Sequence, residues 1–159
     1  MAVKNIVVSV TGAPHSLVAA KYAIYLSKLL NSKLTGLYVI DEKSLQELLK
    51  TKIFVEVEAM EFQRELEEQG KRFFERVKTM ASSKGVEFEG VMLKGVVHTQ
   101  VVNKAKEIGA DILVMGELKE IKSMTETFYN PGERIFREAT CPVVIVKNSA
   151  EVEKIYKEM

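Results

Sequence analysis

The sequence predicts an α/β fold: one doubly wound domain, with a five-stranded parallel sheet and helices on both faces. Three observations carry this reading. Five short apolar runs, most of them β-branched, alternate with helix-length segments. Most of these runs are apolar throughout, as strands buried on both faces must be, which is the pattern of a parallel sheet under helices. No boundary, linker, repeat or low-complexity tract interrupts the 159 residues, so a single domain over 1–159 is expected. Right-handed crossovers then wind the helices over both faces of the sheet.

The first strand, at about 3–10, centres on Ile6 to Val10 and closes at Thr11-Gly12. Pro14 suits the first turn of a helix, which Leu17, Ala20, Ile24 and Leu26 carry forward to Asn31. The second strand is 33–40, and Asp41 opens polar sequence. Ser44-Leu-Gln-Glu47 has the form of a capping box and predicts a short helix through Leu49. A long helix follows, on the stripe Val55, Ala59, Phe62, Leu66, Phe73, Val77 and Met80, broken near Gly70. Its first half is acidic and its second half basic, which complements the helix dipole. Glu67–Lys71 and Glu68–Arg72 are expected to pair at i,i+4, each worth about 0.2–0.5 kcal/mol. The charge run reads foremost as a solvated face and secondarily as an acidic surface for a partner.

Gly85 ends that helix, and the third strand is expected at 86–93. Val101, Val102, Ala105 and Ile108 form the face of the next helix, which Gly109 stops. The fourth strand is 111–116. Residues 117–129 are polar and without period, a loop expected to be mobile in the absence of a ligand. Asn130-Pro131-Gly132-Glu133 is a strong helix start, and Cys141-Pro142 ends that helix. The fifth strand is 143–147, and a terminal helix follows from Asn148.

Composition excludes several classes of function. Lys and Arg number 23 against 22 Asp and Glu, a balance that offers no field for non-specific binding to nucleic acid or anionic membrane. One cysteine, Cys141, and two histidines leave little for a structural zinc site. The lone cysteine fits a reducing compartment, no apolar run is long enough to span a membrane, and the start reads as a strand rather than a signal peptide. A cytoplasmic location is the expectation.

Ligands of such sheets bind beyond the carboxyl ends of the strands, where strand order reverses. Those ends carry Val10-Thr11-Gly12, Val39-Ile40-Asp41, Lys94-Gly95 and Met115-Gly116, and Asn130 starts a helix near the same edge. Glycine there lets backbone approach a ligand closely. Catalytic signatures are missing: there is no Walker phosphate loop, no dinucleotide fingerprint and no nucleophile elbow. His15 reads foremost as a surface residue of a first helical turn and secondarily as a residue facing the pocket, His98 reads as structural, and Cys141 as a buried structural thiol ahead of a nucleophile. Asp41 and Asp111 stand apart and do not form an acidic metal cluster.

The chain resembles the universal stress protein family over about Val3 to Lys147. The resemblance rests on the strand, turn and helix start Ile6 to Ser16, on Asp111-Ile-Leu-Val-Met-Gly116, and on Glu133 to Val146 with its Ala139-Thr-Cys141-Pro-Val-Val close. It implies the strand order 3-2-1-4-5. Members that bind ATP carry an aspartate at the end of the first strand, a Gly-x-x-Gly after the fourth, and Gly-Ser or Gly-Thr at the next helix start. Here Thr11 takes the aspartate's place, Gly116 keeps the first glycine, Lys119 replaces the second, and Tyr129-Asn130 replaces the Gly-Ser pair.

The resemblance therefore implies a non-catalytic stress-response or regulatory protein that has lost ordinary ATP binding and works through dimerisation and partner binding. The alternative is a nucleotide-binding switch with a divergent phosphate loop, taking ATP with Mg. Lys119 and Lys122 would compensate by charge, with slow hydrolysis or autophosphorylation at Ser123, Thr125 or Thr127. An adenylating ligase of the wider superfamily needs a signature that Thr11 to Ser16 does not supply. A bound nucleotide would place its base near Val10, Thr11, Val39 and Ile40, with Gly12 in the turn. Its phosphates would lie near Met115, Gly116, Asn130 and Gly132. The homodimer would form through Val143, Val144, Ile145 and Val146, an apolar edge strand paired across a two-fold axis. The competing expectation is that 150–159 folds back over that edge.

Overall fold

A computed structural model describes residues 3–11, 14–51, 55–118 and 130–159 of the chain. The elements run β1 (Asn5–Val10), α1 (Pro14–Leu30), β2 (Lys33–Asp41), α2 (Glu42–Lys50) and α3 (Glu56–Ser83). They continue β3 (Phe88–Gly95), α4 (Val97–Ile108), β4 (Ile112–Met115), α5 (Pro131–Glu138), β5 (Val143–Ile145) and α6 (Ser149–Glu158). The five strands form one parallel sheet in the order β3-β2-β1-β4-β5. The expected loop at 117–129 falls almost wholly outside the described residues, as does Gly12.

β1 is the pivot. Ile6, Val7 and Val8 each pair with β2 on one side and with β4 on the other, and all three are buried. One face of the sheet carries Ile6, Val8, Leu34 and Val114 under Ala20 and Ile24 of α1, Val77 of α3 and Val152 of α6. The other carries Val7, Leu37 and Leu113 under Val101 and Ala105 of α4 and Ile135 of α5. Burial of this kind is worth about 1.5–3 kcal/mol for each large apolar side chain.

The long α3 approaches the sheet over glycines. Gly36 of β2 pairs with Gly90 of β3, and the ring of Phe74 seats over that pair. A Cβ at Gly90 would lie 2.5 Å from the Phe74 ring. Phe74 meets Tyr38 edge-on at 6.3 Å and Phe88 at 5.9 Å between ring centroids. The break in the stripe at Gly70 has the same cause: its bare Cα lets Tyr38 and Met92 come close to the helix.

Several boundaries differ from the sequence expectation. β3 begins at Phe88, not Val86, because the Val86 N–H turns back to the carbonyl of Ala81 and helps close α3. α2 starts at Glu42, directly off β2, so Ser44 lies inside the helix and is not its cap. The expected pairs Glu67–Lys71 and Glu68–Arg72 give way to Glu68–Lys71 at 3.8 Å and to Gln63 Nε2 donating to Glu67. On an exposed helix face the i+3 neighbour is as near as the i+4 one.

The terminal helix α6 does not fold over β5. It docks on α1, with Lys21 paired to Glu153 and the Tyr156 ring beneath the ammonium groups of Lys21 and Lys84. Among the described residues β5 pairs with β4 alone.

Asp111 secures the amino-terminal end of the pivot. Its carboxylate accepts the N–H groups of Lys4 at 2.8 Å and Asn5 at 2.9 Å. Those two backbone donors hold its pKa below the usual carboxylate range. A depressed carboxylate adds stability that is complete above its unfolded pKa, about 3.9, and is lost as pH falls through the folded value. Asp111→Asn is expected to lower the urea midpoint at pH 7, with the gap to wild type narrowing below about pH 4. A gap of constant size across that range would contradict the assignment.

Candidate functional site

Beyond the carboxyl ends of β1 and β4 the chain departs in opposite directions. From β1 it crosses through α1 to β2, and from β4 it crosses through α5 to β5. The crevice between them is the switch point of the sheet. A cavity of about 150 Å³ occupies it. Ser9 and Thr11 line it from the end of β1, His15 and Ser16 from the first turn of α1, and Met115 to Leu118 from the end of β4. Asn130, Pro131, Gly132 and Ile135 of α5 complete the wall, with Val97 of α4.

Five of the expected ligand residues therefore meet at one cavity: Thr11, Met115, Gly116, Asn130 and Gly132. Val10 and Ile40 are instead buried in the core on the α1 face, and Val39 packs with the core on the α4 face. They share the sheet edge but do not line the cavity. The cause is the alternation of side chains along a strand that is covered on both faces.

A hydroxyl ties the end of β1 to the first turn of α1. Ser16 is 2% exposed, and its Oγ accepts the Thr11 N–H at 2.9 Å and lies 3.1 Å from Thr11 Oγ1. At the start of α5, Asn130 Oδ1 accepts the Glu133 N–H at 3.2 Å, with Pro131 in the first turn, as its sequence predicts. The Glu133 carboxylate lies 2.7 Å from Arg137.

His15 departs from the surface position expected of it. It is half-buried and sits against Gly116: a Cβ there would lie 2.6 Å from His15 Cδ2 and 3.1 Å from the His15 carbonyl oxygen. His15 and Glu117 are also shared with a neighbouring cavity of about 260 Å³, bounded by Val18, Val146, Lys147 and Asn148. Sequence reasoning held His15 at the pocket only as its second reading, and it did not single out Ser9, Ser16, Val97, Glu117, Leu118, Pro131 or Ile135 as lining residues. Pro14 at the start of α1 was the available signal, because it fixes His15 and Ser16 in the first turn, directly over the end of β4.

The other candidates lie apart from the cavity. His98 is buried between α4 and α5, with Nε2 3.3 Å from Thr99 Oγ1 and 3.7 Å from Glu138 Oε2. Arg134, hydrogen-bonded to Glu138, holds that carboxyl below its usual range. Cys141 is half-buried, and burial pushes its thiol up, away from the reactive thiolate. Asp41 ends β2 opposite Gly95, and Asp111 lies at the opposite edge of the sheet. Among the described residues no three His, Cys, Asp or Glu side chains group as metal ligands, and no helix is long and apolar enough to cross a membrane. Lys119, Lys122, Ser123, Thr125, Thr127 and Tyr129 lie outside the described residues.

Comparison with known proteins gives a consistent result. The sequence profile of the Universal stress protein family matches residues 2–147. The chain is 31% identical over 144 residues to universal stress protein MJ0531 of Methanocaldococcus jannaschii, covering 91% of this chain and 82% of that one. The solved structure of MJ0577 from the same organism superposes with a TM-score of 0.75 at 23% identity, over 93% of this chain and 98% of the other. The universal stress protein of Archaeoglobus fulgidus, solved in complex with dAMP, superposes with a TM-score of 0.64 at 16% identity, over 92% of this chain and all (100%) of that one.

The His15–Gly116 contact has a direct test. Gly116→Ala is expected to cost about 1–3 kcal/mol, because the new methyl meets both the imidazole and a backbone oxygen. In a His15→Ala background the same change should cost less, since half of the obstruction is gone. Denaturant unfolding of the four proteins in a double-mutant cycle measures the coupling, and additivity within about 0.5 kcal/mol would contradict the contact.

Proposed function

The chain belongs to the universal stress protein family, and from that premise we propose that it is a non-catalytic regulatory protein. It acts as a homodimer through partner binding, and ordinary ATP–magnesium binding at its switch-point cleft is lost. The observation that carries this reading is the imidazole of His15 against Gly116. Gly116 is the one glycine kept from the family's phosphate-loop pattern after β4. Such a glycine serves a phosphate by leaving its backbone open to close approach. Here the chain's own side chain takes up that space.

Two charges support the same reading. Glu117 follows Gly116 on the cavity wall, and Glu133 sits in the first turn of α5. Both weaken the attraction of that helix start for a polyphosphate.

A second reading is a switch that takes a nucleotide with fewer phosphates. It is favoured by the cavity's place at the switch point and by the Archaeoglobus fulgidus relative solved with dAMP. Calorimetric titration separates the two. ATP with magnesium at millimolar concentration is expected to give no saturable heat, and His15→Ala is expected to bind ATP more tightly than wild type. Saturable micromolar binding of ATP to the wild type would overturn the first reading. Binding of dAMP without ATP would establish the second.

The dimer is proposed at β5. Val143, Val144 and Ile145 are half-buried in the single chain, and α6 leaves the outer edge of the strand to one side. An apolar edge of this kind is a template for pairing. Val144→Lys is expected to halve the mass seen in sedimentation while the far-ultraviolet dichroism stays that of the wild type. An unchanged dimer mass would reject this interface, and a wild-type monomer at high concentration would reject the dimer.

A further inference from the structure

Ser9 is the exception in β1. Its neighbours from Ile6 to Val10 are aliphatic, and Ser9 alternates with them so as to share with Val7 the face of the sheet that α4 and α5 cover. It is 9% exposed, and its hydroxyl has no hydrogen-bond partner among the described residues. The unpaired Oγ of Ser27 is sealed inside the protein, whereas Ser9 lines the switch-point cavity. A buried hydroxyl without a partner is unfavourable, and one on a cavity wall is a place for a partner from outside the chain.

Neighbouring polar groups on that wall are already engaged. Thr11 and Ser16 bond to each other, and Asn130 Oδ1 accepts the Glu133 N–H. At the start of α5, Pro131 has no N–H, and the Arg134 N–H reaches the Asn130 carbonyl. The Gly132 N–H is left over. It has no partner among the described residues, and it stands at the positive end of the helix dipole. Two donors on one cavity, the Ser9 O–H and the Gly132 N–H, call for an oxygen acceptor.

His15 and Glu117 are the ionisable side chains on the wall, and the Glu133 carboxylate beside Gly132 is paired with Arg137. One acid facing the cavity opposes a chain of phosphates far more than a single charge. Val97, Met115, Leu118, Pro131 and Ile135 supply the apolar remainder. A few placed donors among apolar walls is the pattern of a small-molecule site.

We propose that the cleft holds a short-chain monocarboxylate, its head on Ser9 and Gly132 and its aliphatic chain against Met115, Leu118 and Ile135. The proposal deepens the regulatory reading above and rests on it: a cleft closed to ATP responds to a small acid instead.

The test is NMR titration of the isotopically labelled full chain with butyrate at constant ionic strength, with acetate, butyramide and butylamine as comparisons. Butyrate is expected to saturate at millimolar concentration and to shift the amides of Ser9 and Gly132. Acetate, which lacks the chain, and butyramide, which lacks the charge, should each bind about fivefold more weakly. Butylamine should not bind. Ser9→Ala should weaken butyrate about tenfold. It should also leave the melting temperature at or above that of the wild type, because it removes a hydroxyl that the described residues leave unsatisfied. Leu118→Ser, at an exposed position, should weaken butyrate and leave acetate unchanged.

A lower melting temperature for Ser9→Ala with unchanged butyrate binding would make the hydroxyl structural and overturn the proposal. So would absence of saturation, equal binding of butyramide or butylamine, or shifts confined to other surfaces. ATP calorimetry reads the parent proposal separately. No ATP heat together with no butyrate shift rejects this site and leaves the regulatory reading standing, whereas ATP binding to the wild type overturns both.

Discussion

The double pairing of β1 fixes the sheet, and the helices and the crevice take their places from it. Ile6, Val7 and Val8 are in register with Leu34, Thr35 and Gly36 on one side and with Ile112, Leu113 and Val114 on the other. A strand paired on both edges and covered on both faces has no polar side, which is why this segment is almost purely aliphatic. The same pairing forces the chain apart at Thr11 and Gly116 and so creates the crevice. Asp111 and Ser16 secure the two ends of the strand, one through its carboxylate and the other through its hydroxyl.

What fills the crevice follows from what enters it first. Pro14 starts α1, so His15 is held at the end of β4 and Ser16 at the end of β1 with little freedom to move away. Ser16 satisfies the backbone of Thr11, and His15 lies on Gly116. The fold thus keeps the switch-point crevice while local side chains occupy part of it. The interface proposed for the homodimer lies elsewhere, at the β5 edge.

Much of the fold is legible in the sequence because parallel strands and amphipathic helices write different periods. The short β-branched runs at Ile6 and Leu113, the stripe of α3 and the Asn130-Pro131 start each translate directly into an element. The boundaries that escaped were decided by contacts between segments distant in sequence or by backbone closure. Val86 belongs to the end of α3 because its N–H reaches Ala81, and Ser44 is no cap because α2 leaves β2 without a loop. The site was partly legible. Thr11, Met115, Gly116, Asn130 and Gly132 stand at predictable strand and helix ends, whereas Val10, Val39 and Ile40 point into the core. Pro14 marks His15 as a first-turn residue near the pocket, but its contact with Gly116, about a hundred residues further along the chain, leaves no local pattern.

Whether the switch-point cleft still holds ATP decides between the two functional readings. Native mass spectrometry of the protein, purified without added nucleotide, tests it most directly. The expected result is the bare mass of the proposed dimer, with no increment from a carried-over nucleotide. One ATP or ADP per subunit, retained through purification and released on denaturation, would contradict it.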